Sequence, residues 1–315
     1  MKGDDLQYRK ADIMKKNLAG IFPPVTSPFD SEGELLVDRF KENLERWAAA
    51  PLAGITVLGS NGEAHLLSDH ERLTLVREAR ASVPEDRTLI VGAGKESTRL
   101  TIEFVRKVAD LGADYALVGL PHYYRARMTD DAFFAHLWSI ADESPVPVLI
   151  YNAPQFTGLT VSASLIQRLS AHENIAGMKE SAGNLPLQAE VRRRVPERFQ
   201  ILVGSAPTLL PSLVQGACGG IVAVACALPA MVTLLYETFR SGDWHAAAEM
   251  QRRLTPPAEA VTGLFGVPGL KYAMSLMGFF GGEARLPLLP LKEEQRAKIT
   301  EIFQAAGVLG ALENT

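Results

Sequence analysis

The chain has 315 residues, 47% hydrophobic and 22% charged, with a formal net charge of −4. This balance excludes disordered and fibrous classes, and it gives no electrostatic footprint for nucleic acid or an anionic membrane surface. No run reaches the ~20 apolar residues of a spanning helix, and the length suits one large α/β domain, so the expected partners are small molecules or further copies of the chain.

Residues 1–19 begin "MKGDDLQYRKADIMKKN", with no apolar centre and with Asp4, Asp5 and Asp12, against a secretory signal. A cytoplasmic protein is expected. From residue 20 onward, apolar runs rich in β-branched residues recur: "GIFPPVTSPF", "GITVLG", "TLIVGAG", "DYALVG", "VPVLIYN", "IAGMKE", "QILVGS" and "GGIVAVA". Their near-continuous hydrophobicity predicts strands buried on both faces, as in a parallel sheet.

Helical periods separate these runs. Phe40, Leu44 and Trp47 share one face of the first helix. Ser68 followed by Glu71 is a capping box ahead of Leu73, Val76 and Ala79. Lys107 and then Gly112 mark the end of the helix in "STRLTIEFVRKVADLG". Eight strand and helix repeats predict a (β/α)8 TIM barrel over 20–242. A doubly wound open sheet also alternates, but no GxGxxG follows the first strand. Beyond it, "DWHAAAEMQRRL", "VPGLKYAMSLMGFF" and "KEEQRAKITEIFQAAG" predict a C-terminal helical extension over 243–315, with no linker before it. Cys218 and Cys226 have neither a CxxC spacing nor a histidine beside them, and are expected to be small buried hydrophobes in a reducing compartment. His122 and His136 are expected in a loop and on a helix surface, and no metal or other cofactor is expected.

In such barrels, chemistry gathers where the strands end. "LGSNGE", "HYYRARM", "YNAPQFTG" and "MKES" follow the second, fourth, fifth and sixth strands and are expected at one mouth. Ser60 and Asn61 offer hydroxyl, amide and backbone N–H groups to a small anion such as a carboxylate, or else form an ordinary tight turn. Tyr151 is either a core aromatic or a proton-relaying phenol. Lys179 is either a snorkelling side chain or a desolvated amine that attacks a ketone to form a Schiff base, a chemistry that needs a nearby hydroxyl shuttle and a carboxylate-binding loop.

"GSNGE", "YNAPxxTG" and "GMKES", in this order, resemble the dihydrodipicolinate synthase and N-acetylneuraminate lyase family over nearly the whole chain. The resemblance implies a (β/α)8 barrel with helical extension, usually a homotetramer, that uses pyruvate and a small aldehyde or 2-oxo acid. It implies Lys179 as the Schiff-base lysine and Tyr151 as the proton shuttle. Ser60 and Asn61 match the pair that touches pyruvate, and Tyr124 matches a tyrosine donated across a subunit interface. The resemblance also implies a backbone carbonyl facing the adduct at Val222, with Gly204 and Phe156 among the substrate contacts.

In the synthases of this family the position of Phe156 carries an arginine that clamps a carboxylate, a contact phenylalanine cannot make. The stretches "AGIFPPVTSPF", "ESTRLTIE", "YYRARM" and "AVTGLFGVPGLKYAM" are most similar to the 4-hydroxy-2-oxoglutarate aldolases. Arg125 or Arg127 is a candidate replacement for the clamp. A 2-keto-3-deoxy sugar acid aldolase or dehydratase, a dihydrodipicolinate synthase disfavoured by Phe156, and a barrel that binds a 2-oxo acid without turnover stand as alternatives.

Overall fold

In a computed structural model of the chain, which describes residues 16–309, each of the eight apolar runs contributes a parallel strand. Residues 1–15 of the expected N-terminal segment lie outside the described residues. The strands are β1 (Gly20–Ile21), β2 (Gly54–Val57), β3 (Thr88–Gly92), β4 (Tyr115–Gly119), β5 (Val148–Asn152), β6 (Ile175–Glu180), β7 (Gln200–Val203) and β8 (Gly219–Gly220). Their order, β1-β8-β7-β6-β5-β4-β3-β2, is that of a (β/α)8 barrel.

β1 is far shorter than its apolar run because Pro23 and Pro24 have no N–H to give to a ladder. The segment still closes the barrel against β2. Ala53 N–H donates to the Ile21 carbonyl (3.1 Å), Thr56 N–H to that of Pro23 (2.9 Å) and Val25 N–H to that of Thr56 (2.9 Å).

Two apolar clusters follow from strand alternation. Phe22, Ile90, Leu117, Leu149, Leu202 and Ile221 fill the barrel interior. A larger cluster lies between strands and helices and includes Phe40, Leu44 and Trp47 from the helix Val37–Ala49. The capping box forms at the start of Asp69–Ser82, where Ser68 Oγ accepts from Glu71 N–H and Glu71 Oε2 accepts from Ser68 N–H. Helix Thr98–Asp110 ends just before Gly112, whose φ of +88° suits glycine.

The extension contributes helices Trp244–Glu259, Gly266–Leu276 and Glu293–Ala305. Leu254, Leu270, Met274 and Phe303 join the larger cluster, so its packing is continuous with that of the barrel. After Pro256 and Pro257 the first of these helices widens into a π-helical turn, Ala260–Leu264, which brings Val261, Thr262 and Gly263 to the barrel mouth.

Two expectations need correction. His136 is buried, because its Nδ1 meets Thr98 Oγ1 at 2.8 Å and the ring packs under the neighbouring helix. Burial pushes its pKa down to about 4. Cys226 is fully buried as expected, whereas Cys218 is only partly so. Among the described residues no helix is long and apolar enough to cross a membrane.

Candidate active site

β5 and β6 pair with Tyr151 opposite Lys179 and Asn152 opposite Glu180. Because side chains alternate, the first pair faces the barrel interior and the second faces outward. Lys179 is 4% exposed, and its Nζ lies 4.4 Å from the centroid of the Tyr151 ring. Among the described residues no carboxylate forms an ion pair with it. This rules out the snorkelling alternative, which needs a solvated head group.

The Tyr151 hydroxyl meets Ser60 Oγ at 3.2 Å. Ser60 opens a 3₁₀ turn, Ser60–Gly62, directly beyond β2. The turn is bounded by two non-glycine residues in the left-handed region, Leu58 (φ +59°) and Glu63 (φ +52°). Such positions cost roughly 1–3 kcal/mol each and persist only where the surroundings over-determine them. Here Ser27 Oγ donates to the Gly62 carbonyl (2.7 Å), and Glu63 N–H donates to that of Ser60 (3.1 Å). The Glu63 carboxylate is held by Lys271 Nζ at 2.5 Å, with both side chains 1% exposed, and by Arg285 N–H at 2.7 Å. The extension therefore grips the turn that carries Ser60.

A cavity of about 530 Å³ opens over Lys179, lined by Tyr151, Ser60, Asn61, Gly204 and Phe156. Gly204 must lack a side chain, since a Cβ there would lie 1.7 Å from Ser181 Oγ. Phe156, in the short helix Pro154–Thr157, stands at the rim with 59% of its surface exposed. A second cavity of about 310 Å³ shares Ser60, Tyr151, Phe156 and Val267 with the first. It adds His65, Glu96 and His122, and His122 Nδ1 lies 2.9 Å from Glu96 Oε1. The His65 pKa is pushed down by burial and then by the neighbouring Arg72 and His122. Tyr151 and Ser60 thus stand between two chambers.

Four expected residues lie elsewhere. Tyr124 is 71% exposed and stacks edge-on against Tyr123 at 5.1 Å, outside both cavities of a single chain. Val222 points into the outer cluster and its carbonyl accepts from Ala225 N–H (3.1 Å); Ile221 and Ala223 line the cavity instead. Arg125 packs its guanidinium over Gly158 in the loop after β5, and both Arg125 and Arg127 are exposed. The loop after β4 reaches the second cavity through Leu120 and His122.

Three residues escaped the sequence reading, although they stand inside "YN" and "MKES". Glu180 is buried and accepts from the Asn152 amide (3.1 Å) and from the N–H groups of Ala182 (2.9 Å), Gly183 (3.0 Å) and Asn184 (3.3 Å). Burial pushes its pKa up while these donors oppose the rise. Ser181 Oγ is buried, without a hydrogen-bond partner, and borders the Lys179 cavity. The outward pair Asn152–Glu180 locks the two strands that carry the inward pair Tyr151–Lys179.

Comparison with known proteins agrees with this geometry. The model of the dihydrodipicolinate synthetase family matches residues 17–306. A 4-hydroxy-tetrahydrodipicolinate synthase of an Exiguobacterium species is 30% identical, over 90% of this chain and 97% of that protein. Its counterpart from Archaeoglobus fulgidus is 31% identical over 91% and 97%. Among solved structures, YagE of E. coli K12, a prophage protein of the dihydrodipicolinic acid synthase family in complex with pyruvate, superposes with a TM-score of 0.86 at 26% identity, covering 92% of this chain and 99% of that one. The chain belongs to the dihydrodipicolinate synthetase family and is an enzyme of its lysine Schiff-base lyases.

Proposed function

We propose that the protein is a pyruvate-releasing aldolase that cleaves 4-hydroxy-2-oxoglutarate to pyruvate and glyoxylate. The observation that carries this reading is the buried Lys179 amine, unpaired with any described carboxylate and seated against a tyrosine whose hydroxyl meets Ser60. A buried lysine amine that faces a cavity is placed to attack the carbonyl of a bound ketone.

In this reading Lys179 Nζ adds to the C2 carbonyl, and loss of water leaves an iminium. Tyr151 removes the proton of the C4 hydroxyl, the C3–C4 electron pair moves onto the iminium as an enamine, and glyoxylate departs. The enamine takes a proton at C3, and hydrolysis frees pyruvate and the lysine. Asn61 and the backbone of the Ser60–Gly62 turn hold the C1 carboxylate, with Ser181 as a further donor and Gly204 leaving room for it. Ile221 and Ala223, which line the cavity, border the adduct. Acid–base work of this kind contributes ~10²- to 10⁴-fold, the rest coming from the covalent electron sink.

The curated relatives carry the name of a synthase, and YagE was solved with pyruvate. Pyruvate as the ligand of YagE supports the 2-oxo acid half. Phe156 departs from the clamping arginine of the synthases, since an exposed phenyl ring cannot clamp a second carboxylate, and the distal carboxylate of 4-hydroxy-2-oxoglutarate must likewise be met by another group. The same apolar rim favours a second reading, a 2-keto-3-deoxy sugar acid aldolase or dehydratase acting on a neutral aldehyde. Barrel and extension act as one catalytic unit in a cytoplasmic homotetramer, where Tyr124 of one copy completes the proton relay of another.

Incubation with pyruvate and borohydride is expected to add the reduced adduct to the peptide containing Lys179. An unmodified Lys179 in folded protein sinks the Schiff-base reading. Pyruvate release from 4-hydroxy-2-oxoglutarate, 2-keto-3-deoxygluconate and oxaloacetate then separates the first reading from the second.

A further inference from the structure

The Glu63–Lys271 pair has a geometry that packing alone does not require. Glu63 closes the Ser60–Gly62 turn in a left-handed conformation, and the next turn begins from it, with Leu66 N–H donating to its carbonyl at 2.8 Å. Both carboxylate oxygens face the extension: Oε1 forms an ion pair with Lys271 Nζ outside hydrogen-bond geometry, and Oε2 accepts from the Arg285 N–H. Lys271 is fixed in turn. Its Nζ donates to the Glu283 carbonyl at 2.6 Å and lies 4.5 Å from the centroid of the buried Phe29 ring. The Arg285 guanidinium lies 4.1 Å from the same ring and pairs with Glu71.

A buried ion pair is weak evidence of stabilisation, because well-packed apolar groups of similar volume serve as well. What the pair supplies is direction. An apolar contact would let the turn slide, whereas two oxygens held from separate points fix its rotation about the chain. The residue that depends on this rotation is Ser60, three positions earlier, whose hydroxyl must meet that of Tyr151.

We propose that Lys271 is a positioning residue: through the Glu63 carboxylate it sets the turn so that Ser60 reaches Tyr151 and the phenol can move protons. The proposal rests on the roles given above to Lys179 and Tyr151. Lys271 touches neither cavity and acts only through Glu63.

The test uses pyruvate alone, so that the identity of the aldehyde does not enter. Two rates are followed in the full-length protein: borohydride trapping at Lys179, and exchange of pyruvate C3 hydrogens in D2O, which requires proton removal from the iminium. In Lys271→Met, trapping is expected within a few fold of the native rate while exchange falls about 10- to 100-fold, the loss that a misplacement near 1 Å brings. Lys271→Arg is expected to recover most of the exchange. Because Lys271→Met leaves a buried carboxylate unpaired, the double variant Lys271→Met with Glu63→Gln, which buries no charge, is measured beside it. It is expected to fold and still exchange slowly. A folded Lys271→Met or double variant with native exchange overturns the proposal, as does failure of both to fold, which assigns the pair to stability. Native protein that never traps pyruvate sinks the Schiff-base reading instead, so the two failures are distinguishable.

Discussion

Asn152 donates its side-chain amide to Glu180 one register step beyond the Tyr151–Lys179 pair, on the opposite face of the same two strands. The polar cluster under the site is thus its anchor, and Glu180 is its centre. Glu180→Ala leaves three backbone N–H groups and the Asn152 amide without their acceptor. A loss of about 3 kcal/mol in urea unfolding is expected, with Glu180→Gln losing about 1. A Glu180→Ala loss below half a kcal/mol would show that the loop over 182–184 is held by something else.

Tyr151→Phe keeps the ring against Lys179 and removes only the hydroxyl that meets Ser60. Pyruvate release is expected to fall ~10²- to 10⁴-fold. Borohydride trapping of pyruvate should still label Lys179. Turnover within threefold of native would take the phenol out of the reaction.

Phe156 is exposed at the rim and touches both chambers, so substitutions there leave folding nearly unchanged. Phe156→Arg restores a planar donor fork at the mouth. In the condensing direction, kcat/KM with pyruvate is expected to rise at least tenfold for an aldehyde bearing a carboxylate, relative to a neutral one of similar length, about the 1.4 kcal/mol of one charge-assisted contact. An unchanged ratio would place the distal half of the substrate away from residue 156.

Glu71 and Arg285 give the extension its acid dependence. The Arg285 hydrogen bond holds the Glu71 carboxyl down, from 4.5 to about 2. A carboxyl whose pKa is depressed in the folded state stabilises above its unfolded value and loses that contribution as pH falls through the folded one. Screening leaves roughly 2 kcal/mol for a partly exposed pair of this kind. The gap in unfolding free energy between native protein and Glu71→Gln is therefore expected to be full at pH 6 and to close between about pH 4.5 and 2. A gap independent of pH would mean that the pair contributes shape and no charge.

Much of this was legible in the residues. Eight apolar runs announced a buried parallel sheet, and Lys179 and Tyr151 stood out because a strand buried on both faces has no ordinary use for them. "GSNGE" was legible as a turn near the site, and its Ser60 does meet Tyr151. What escaped depended on pairs far apart in the chain. Glu63 reads locally as the end of a turn and Lys271 as an ordinary helix residue, and only the fold brings their charges together. His136 was misplaced for a similar reason: in an isolated helix it reads as surface, and a neighbouring helix buries it. The short β1 was written in Pro23 and Pro24, whose missing donors outweigh the apolar run around them. Tyr124 is exposed and lies outside both cavities of a single chain.

Arg285 and Glu63 are 222 positions apart, with Lys179 between them. During synthesis the amine leaves the ribosome well before the segment that secures the turn opposite it. A nascent barrel accordingly carries Lys179 in an unfinished pocket until the helix that holds Lys271 docks onto the turn.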